Sequence, residues 1–138
     1  MELLIDGTNL LHKLYHALPD PDRVPDQLRR WLNLLSLQYR PDFVRIALDC
    51  PGENWRRTLC PEYKASRDEK PEALQQLLDE AENILSAWCP YAIAGHEADD
   101  LLATWAARAH RDGRRAVIVS GDKDLFQCLR HDQVTILR

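Results

Sequence analysis

Short apolar runs alternate along the chain with longer stretches in which apolar residues recur every three or four positions. Glu2 to Ile5 reads as a strand, after which Thr8 or Asn9 is placed to cap a helix running through Leu10, Leu11, Leu14 and Tyr15 until Pro19 and Pro21 end it. From Pro25 a second helix follows, with Leu28, Trp31, Leu32 and Leu35 on one face, and Pro41 closes it. Phe43 to Leu48 is a second strand. Residues 50 to 70 combine Pro51, Gly52 and Pro61 with many charges and no period, which predicts a loop or a short irregular helix. Pro71 opens one long helix whose stripe is Leu74, Leu77, Leu78, Ala81, Ile84, Leu85 and Trp88. Tyr91 to Ala94 is a third strand, and a helix opening at Glu97 buries Ala98, Leu101, Leu102, Trp105 and Ala109 before Gly113 stops it. Ala116 to Val119, a short helix over Asp124 to Leu129, and Val134 to Leu137 complete the series. The alternation predicts an α/β fold with a mostly parallel central sheet of about five strands and helices on both faces.

The polar residues that break these runs carry the chemistry. Asp6, Asp49, Glu97, Asp99, Asp100, Asp122 and Asp124 all fall where an apolar run ends. In a parallel sheet such positions share one edge, where open α/β folds build their sites. Each acid taken singly can be a helix cap. Seven of them at successive strand ends exceed what capping requires, and like charges brought together need protons or cations between them. Oxygen donors select hard divalent ions, Mg²⁺ or Mn²⁺, one or two of them. A pair of such ions can activate water and stabilise a leaving oxygen in phosphoryl chemistry. Asp122 and Asp124, if extended, share a face with Lys123 turned away.

Composition narrows the setting. The chain's 138 residues, 45% hydrophobic and 29% charged, fit one domain with a real core. The first apolar run is too short for a signal peptide or a membrane span, which places the protein in the cytosol. Cys50, Cys60, Cys89 and Cys128 form no C-x-x-C pair and read as reduced structural thiols. A net charge of -4 opposes a nonspecific grip on nucleic acid, yet Arg56, Arg57, Lys64, Arg67 and Lys70 form a basic strip suited to a phosphodiester beside the acids.

Several motifs occur in order across essentially the whole chain: Ile5-Asp6-Gly7-Thr8-Asn9, Tyr15-His16-Ala17, Ala47-Leu48-Asp49, Arg56 with Tyr63-Lys64-Ala65-Ser66-Arg67, Gly95-His96-Glu97-Ala98-Asp99-Asp100, and Ser120-Gly121-Asp122-Lys123-Asp124-Leu125. In these the chain resembles the 5′ nuclease superfamily, meaning the 5′→3′ exonuclease domain of bacterial DNA polymerase I, its phage and stand-alone bacterial relatives, and the flap endonucleases. The resemblance implies a PIN-like domain that binds Mg²⁺ or Mn²⁺ and cuts DNA near 5′ ends, flaps or branches, without an organic cofactor, at the nucleoid. It implies that the seven acids are metal ligands or their partners. Lys64 and Arg67 would steady the scissile phosphate, and Tyr63 would stack on a base, with Arg56 alongside. Lys13 stands where the family often has arginine, keeping charge but not a bidentate phosphate contact. The family's further aspartate pair and its helix-three-turn-helix DNA grip have no counterpart in residues 1–138, so the chain is expected to be a single catalytic core of a truncated 5′ nuclease.

Rival readings remain. A haloacid-dehalogenase-like phosphatase would need a second Asp where Thr8 stands. A PIN-type ribonuclease shares the acids but not the block from Tyr63 to Arg67, and a non-catalytic nucleic-acid-binding module would bind DNA without turnover. His12 and His16 have zinc-compatible spacing but no third ligand. Trp55 beside Arg56 and Arg57 could touch DNA or pack locally, whereas Trp31, Trp88 and Trp105 read as core. Arginines from Arg108 to Arg115 read first as partners of a helix dipole and second as a phosphate patch.

Overall fold

A computed structural model describes residues 1–50, 70–130 and 133–138. The order of elements is β1 (Glu2–Asp6), α1 (Gly7–Ala17), a 3-10 turn (Pro21–Arg23), α2 (Val24–Tyr39), β2 (Phe43–Leu48), α3 (Glu72–Asp79), α4 (Ala81–Ile84), a 3-10 turn (Ser86–Trp88), β3 (Tyr91–Ala92), α5 (Ala98–Arg111), β4 (Ala116–Val119), a 3-10 turn (Lys123–Cys128) and β5 (Val134–Leu137). The strands form one sheet in the order β3-β2-β1-β4-β5, every named pair parallel. The first strand made is therefore the central one, and its residues are buried from end to end.

Alternation along the strands sorts side chains between two cores. Leu3 and Ile5, with Ile46, Leu48 and Val119, face Leu10 and Leu11 of α1, Leu28 and Leu32 of α2, and Leu77, Ala81 and Ile84 below them. Leu4, Ala47, Ala116 and Ile118 face the other way, onto Leu101, Leu102, Ala106 and Ala109 of α5 and Leu125 after β4. Helices thus cover both faces, which is how a parallel sheet hides strands that are apolar throughout. Trp31 and Trp88 pack against the first core and Trp105 against the second, where it meets the Tyr91 ring edge-on at 5.3 Å. Cys50, Cys89 and Cys128 are free thiols.

Three elements differ from the sequence pattern. The stripe from Leu74 to Trp88 is not one helix: Glu80 (ψ 3) and Leu85 (ψ 13) break it into α3, α4 and a 3-10 turn. Periodicity reports which residues face inward, and a single displaced residue redirects the axis without moving the stripe. β3 is two residues long because it pairs only with Ala47 and Leu48, where β2 ends, and Ile93 to His96 then turn through Gly95 at φ 82. Asp122 is the cap of a 3-10 turn rather than part of an extended segment, so Asp124 lies in that turn's first residues and not on a shared extended face.

The N-terminal edge of the sheet carries a buried acid. Glu2 is 2% exposed and pairs with Arg114 at 3.0 Å and Arg45 at 3.5 Å, the pairing a desolvated carboxylate needs. At the other end, α1 starts directly on β2. A Cβ on Gly7 would lie 2.7 Å from Leu48 Cδ2, 2.9 Å from Ile46 Cγ2 and 3.2 Å from the Ala47 carbonyl oxygen. Gly7→Ala should therefore lower stability by about 1–3 kcal/mol in a urea titration; an unchanged midpoint would show that α1 can lift off β2 freely.

Candidate functional site

Asp6 closes β1 and is 5% exposed. Its Oδ1 accepts from the Asn9 N–H at 3.0 Å and its Oδ2 from the Ser120 hydroxyl at 2.9 Å. Ser120 follows β4 directly, and continuing the register past Ile5↔Val119 sets it beside Asp6. The same hydroxyl, 1% exposed at its residue, accepts from the Asp122 N–H at 3.1 Å and so links the ends of β1 and β4. Burial pushes the Asp6 carboxyl up to about 6 against the pull of the Asn9 and Ser120 hydrogen bonds, and the negative charges of Asp49 and Asp99 add to the rise.

Asp49 follows β2. Its N–H donates to Thr8 Oγ1 at 2.9 Å, and its Oδ1 accepts from the Ala98 N–H at 2.6 Å. The start of α5 is thereby tied to the end of β2. Within that first turn Asp100 Oδ2 accepts from the Glu97 N–H at 3.0 Å, one half of a capping box, and His96 Nδ1 lies 3.7 Å from the same oxygen. Glu97 itself is buried. Asp122 Oδ1 accepts from the Asp124 N–H at 2.9 Å.

Five of the seven acids therefore do cap backbone N–H groups: Asp6, Asp49, Glu97, Asp100 and Asp122. Capping and clustering turn out to be the same arrangement. Helix N-termini brought to one sheet edge aim their positive ends, and their acidic caps, at one place. Thr8 and Asn9, expected as caps of α1, have another task. The helix starts at Gly7, so the acid ending the strand takes the cap, while Thr8 braces Asp49 and Asn9 Oδ1 accepts from the Gly121 N–H at 2.9 Å. Ser120 has a role that the sequence pattern alone does not assign. Its signal was its place as the first polar residue after an apolar run, level with Asp6.

Asp49 and Asp99 stand close enough for their charges to act on Asp6, and the Asp122 backbone is tied to Asp6 through the Ser120 hydroxyl. Asp124 is exposed and connects to the group through its backbone N–H. Among the described residues no three His, Cys, Asp or Glu side chains close into a metal-coordinating group. The donors nevertheless suit a hard divalent ion in type, since all are carboxylate oxygens, and Asp49 and Asp122 each use Oδ1 in capping. Gathering them round one ion takes side-chain rotation. Lys13 is exposed on α1 and lines an open groove of about 520 Å³ with Asn9, His12, His16, Gly121 and Arg138. Trp55, Arg56, Tyr63, Lys64 and Arg67 lie outside the described residues. No helix among the described residues is long and apolar enough to cross a membrane.

Comparison with known proteins matches the whole of residues 1–138 to the model of the 5′-3′ exonuclease, N-terminal resolvase-like domain. A flap endonuclease Xni from Shewanella baltica (strain OS195) is 36% identical over 137 residues, covering 96% of this chain and 52% of the relative. The chain thus spans about half the length of such relatives. Among solved structures, the T5 D15 protein co-crystallised with metal ions superposes with a TM-score of 0.83 at 22% identity, over 99% of this chain and 54% of that one. The bacteriophage T5 D15 flap endonuclease in a pseudo-enzyme-product complex with DNA and metal ions superposes with a TM-score of 0.69 at 21% identity, again over 99% and 54%. At these identities the two structures establish the shared α/β fold.

The raised Asp6 value has a direct consequence for stability. The folded chain holds this proton more tightly than the unfolded one, so the associated stability is complete below pH 3.8 and is lost as pH rises through about 6. The loss amounts to roughly 2–3 kcal/mol in metal-free buffer. Asp6→Asn should flatten the stability–pH curve between pH 4 and 7 in urea titrations with EDTA present; a parallel curve in the variant would show that Asp6 is not the titrating group.

Proposed function

The chain belongs to the 5′-3′ exonuclease N-terminal resolvase-like domain family, and on that premise we propose that it is the catalytic core of a metal-dependent 5′ nuclease. The substrate is DNA, cut at 5′ ends, flaps or branched structures, with Mg²⁺ or Mn²⁺ as cofactor. One observation carries the reading: the buried Asp6 carboxylate closes the central strand at the same sheet edge as Asp49, whose carboxylate holds the first turn of α5 with Asp99, and as the Ser120–Asp122 turn, so that carboxylates from several strand ends meet where a cation would relieve them.

In this reading Asp6, Asp49, Asp99 and Asp122 hold the ion, and Glu97, Asp100 and Asp124 orient or supplement them. A divalent ion held there would supply an acidified water and a counter-charge for the leaving oxygen, in a hydrolysis that would leave a 5′-phosphate and a 3′-hydroxyl. The protein's own part is positional. Ser120 holds the Asp6 carboxylate and the Asp122 backbone N–H through one hydroxyl, and Thr8 holds the Asp49 backbone N–H. Lys13 faces the groove beside Asn9 and offers a cation to an approaching phosphate. Lys64 and Arg67 are assigned the scissile phosphate, Tyr63 a neighbouring base, and Arg56 the backbone next to it. The protein works at the nucleoid, where such DNA is found.

The test is cleavage of a 5′-labelled flap DNA in Mn²⁺, with EDTA and Asp99→Asn as controls and a matched RNA flap alongside. Cutting should depend on metal, prefer DNA, and fall at least about tenfold to a hundredfold in Asp99→Asn, the range for a lost metal partner. Equal cutting by the variant, or cutting in EDTA, would refute the site. Mn²⁺ binding without any cutting would make the chain a nucleic-acid-binding or metal-binding half that needs further protein for catalysis.

A further inference from the structure

The edge of the sheet opposite the acids gathers arginines from three loops. Arg40 closes α2 with φ 47 just before β2, Arg108 and Arg111 lie on the last turn of α5, Arg114 and Arg115 lead into β4, and Arg130 leads toward β5. The strand starts are level, since Glu2 pairs with Phe43 and Ala116, and Ala116 with Val134. At about 4.8 Å between strands, this edge runs about 15 Å from β2 to β5. Its loops are pinned by backbone bonds, from the Glu2 N–H to the Arg115 carbonyl at 2.8 Å, from the Arg114 N–H to the Ala109 carbonyl at 2.8 Å, and from the Arg130 N–H to the Val134 carbonyl at 3.1 Å.

Among the described residues the acids at this edge do not balance these charges. Glu2 is occupied by Arg45 and Arg114, Asp112 by Arg111 and Arg114, and Asp42 by the amino group of Met1. Arg40, Arg108, Arg115 and Arg130 have no acidic partner among the described residues, and all four are exposed. The C-terminus of α5 presents only about half a negative charge, which a single arginine already satisfies. Arg130 donates to the Gln127 and Leu129 carbonyls at 3.0 and 2.8 Å, and helix-dipole pairing accounts for one arginine at the end of α5, which leaves Arg40 and Arg115 without such a reason among the described residues.

We propose that this arginine edge is a second nucleic-acid contact surface, which holds a phosphate backbone on the side of the sheet away from the acidic site. The chemistry favours phosphate. Apart from the Met1 amino group held by Asp42, the cations described at the edge are guanidiniums, whose fork matches phosphate oxygens in pairs, and the pinned loops reduce the entropy lost on contact. β1 is five residues long, so roughly 15 Å of sheet separates the two edges. A backbone held here is out of reach of the acids, and the contact positions DNA without taking part in the cut. The inference rests on DNA being the substrate, as proposed above.

The experiment measures anisotropy of a fluorescent DNA duplex with the whole chain in EDTA, where no cation bridges phosphate to the acidic edge. Arg108→Gln with Arg115→Gln is compared with Arg23→Gln and Arg30→Gln, a pair of exposed arginines on another surface that changes net charge equally. The first pair should reduce the dependence of log affinity on log salt by about two and weaken binding about tenfold or more at 0.1 M salt. The second should change binding less than about threefold. Equal effects of the two pairs would overturn the proposal, and so would tighter binding of a polyglutamate peptide than of DNA, which would make the edge a protein-docking surface. Because no metal and no turnover are involved, failure of the cleavage reading and failure of this one give different results.

Discussion

A carboxylate that is at once the last residue of the central strand and the N-cap of the first helix leaves the chain little freedom at that junction. Asp6 must stay buried to hold α1 on the sheet, and burial is what makes its charge costly. The neighbours follow from that conflict. Ser120 and the Asn9 N–H supply the hydrogen bonds that keep the ionised form tolerable, and Thr8 and Asn9, next along the same turn, reach out to the flanking strand ends. Gly7 is the residue that lets the turn approach β2 closely enough for these short polar side chains to reach. The motif Asp6-Gly7-Thr8-Asn9 is thus a clamp on three strand ends as well as part of a site.

Most of this architecture was legible in the residues. Phe43–Leu48, Ala116–Val119 and Val134–Leu137 have the boundaries their apolar runs suggest, since each run is followed at once by a polar residue, Asp49, Ser120 and Arg138. The convergence of Asp6, Asp49 and Asp99 was legible for the same reason. What stayed hidden depends on contacts between elements. Nothing local in the stripe from Leu74 to Trp88 marks Glu80 as the place where the axis turns, and the length of β3 is set by where β2 stops rather than by its own sequence. The partners of Thr8, Asn9 and Ser120 lie 41, 112 and 114 residues away, beyond the reach of any reading of periodicity. The arginine edge was visible only in its segment from Arg108 to Arg115; Arg40 and Arg130 join it through the parallel register.

Polarity is divided along the strand axis rather than between the faces of the sheet. Helices cover both faces, and the two rims differ in charge, one acidic and the other rich in arginine. A parallel sheet makes such a division natural, since every strand starts on one rim and ends on the other. Charge of one sign can then accumulate from loops distant in sequence, and a net charge of -4 conceals two opposed fields.

The central position of β1 also bears on how the molecule is made. Its partners, β2 and β4, begin at residues 43 and 116, so the central strand leaves the ribosome long before both of its edges can be paired. At bacterial and eukaryotic rates of synthesis that interval is on the order of ten seconds. Through it Leu3, Leu4 and Ile5 remain an unpaired apolar segment, and Asp6 awaits a serine not yet translated. Chain growth thus delivers the acidic rim last, as a by-product of completing the sheet, and exposes the nascent protein to misassociation at the segment its folded form hides most completely.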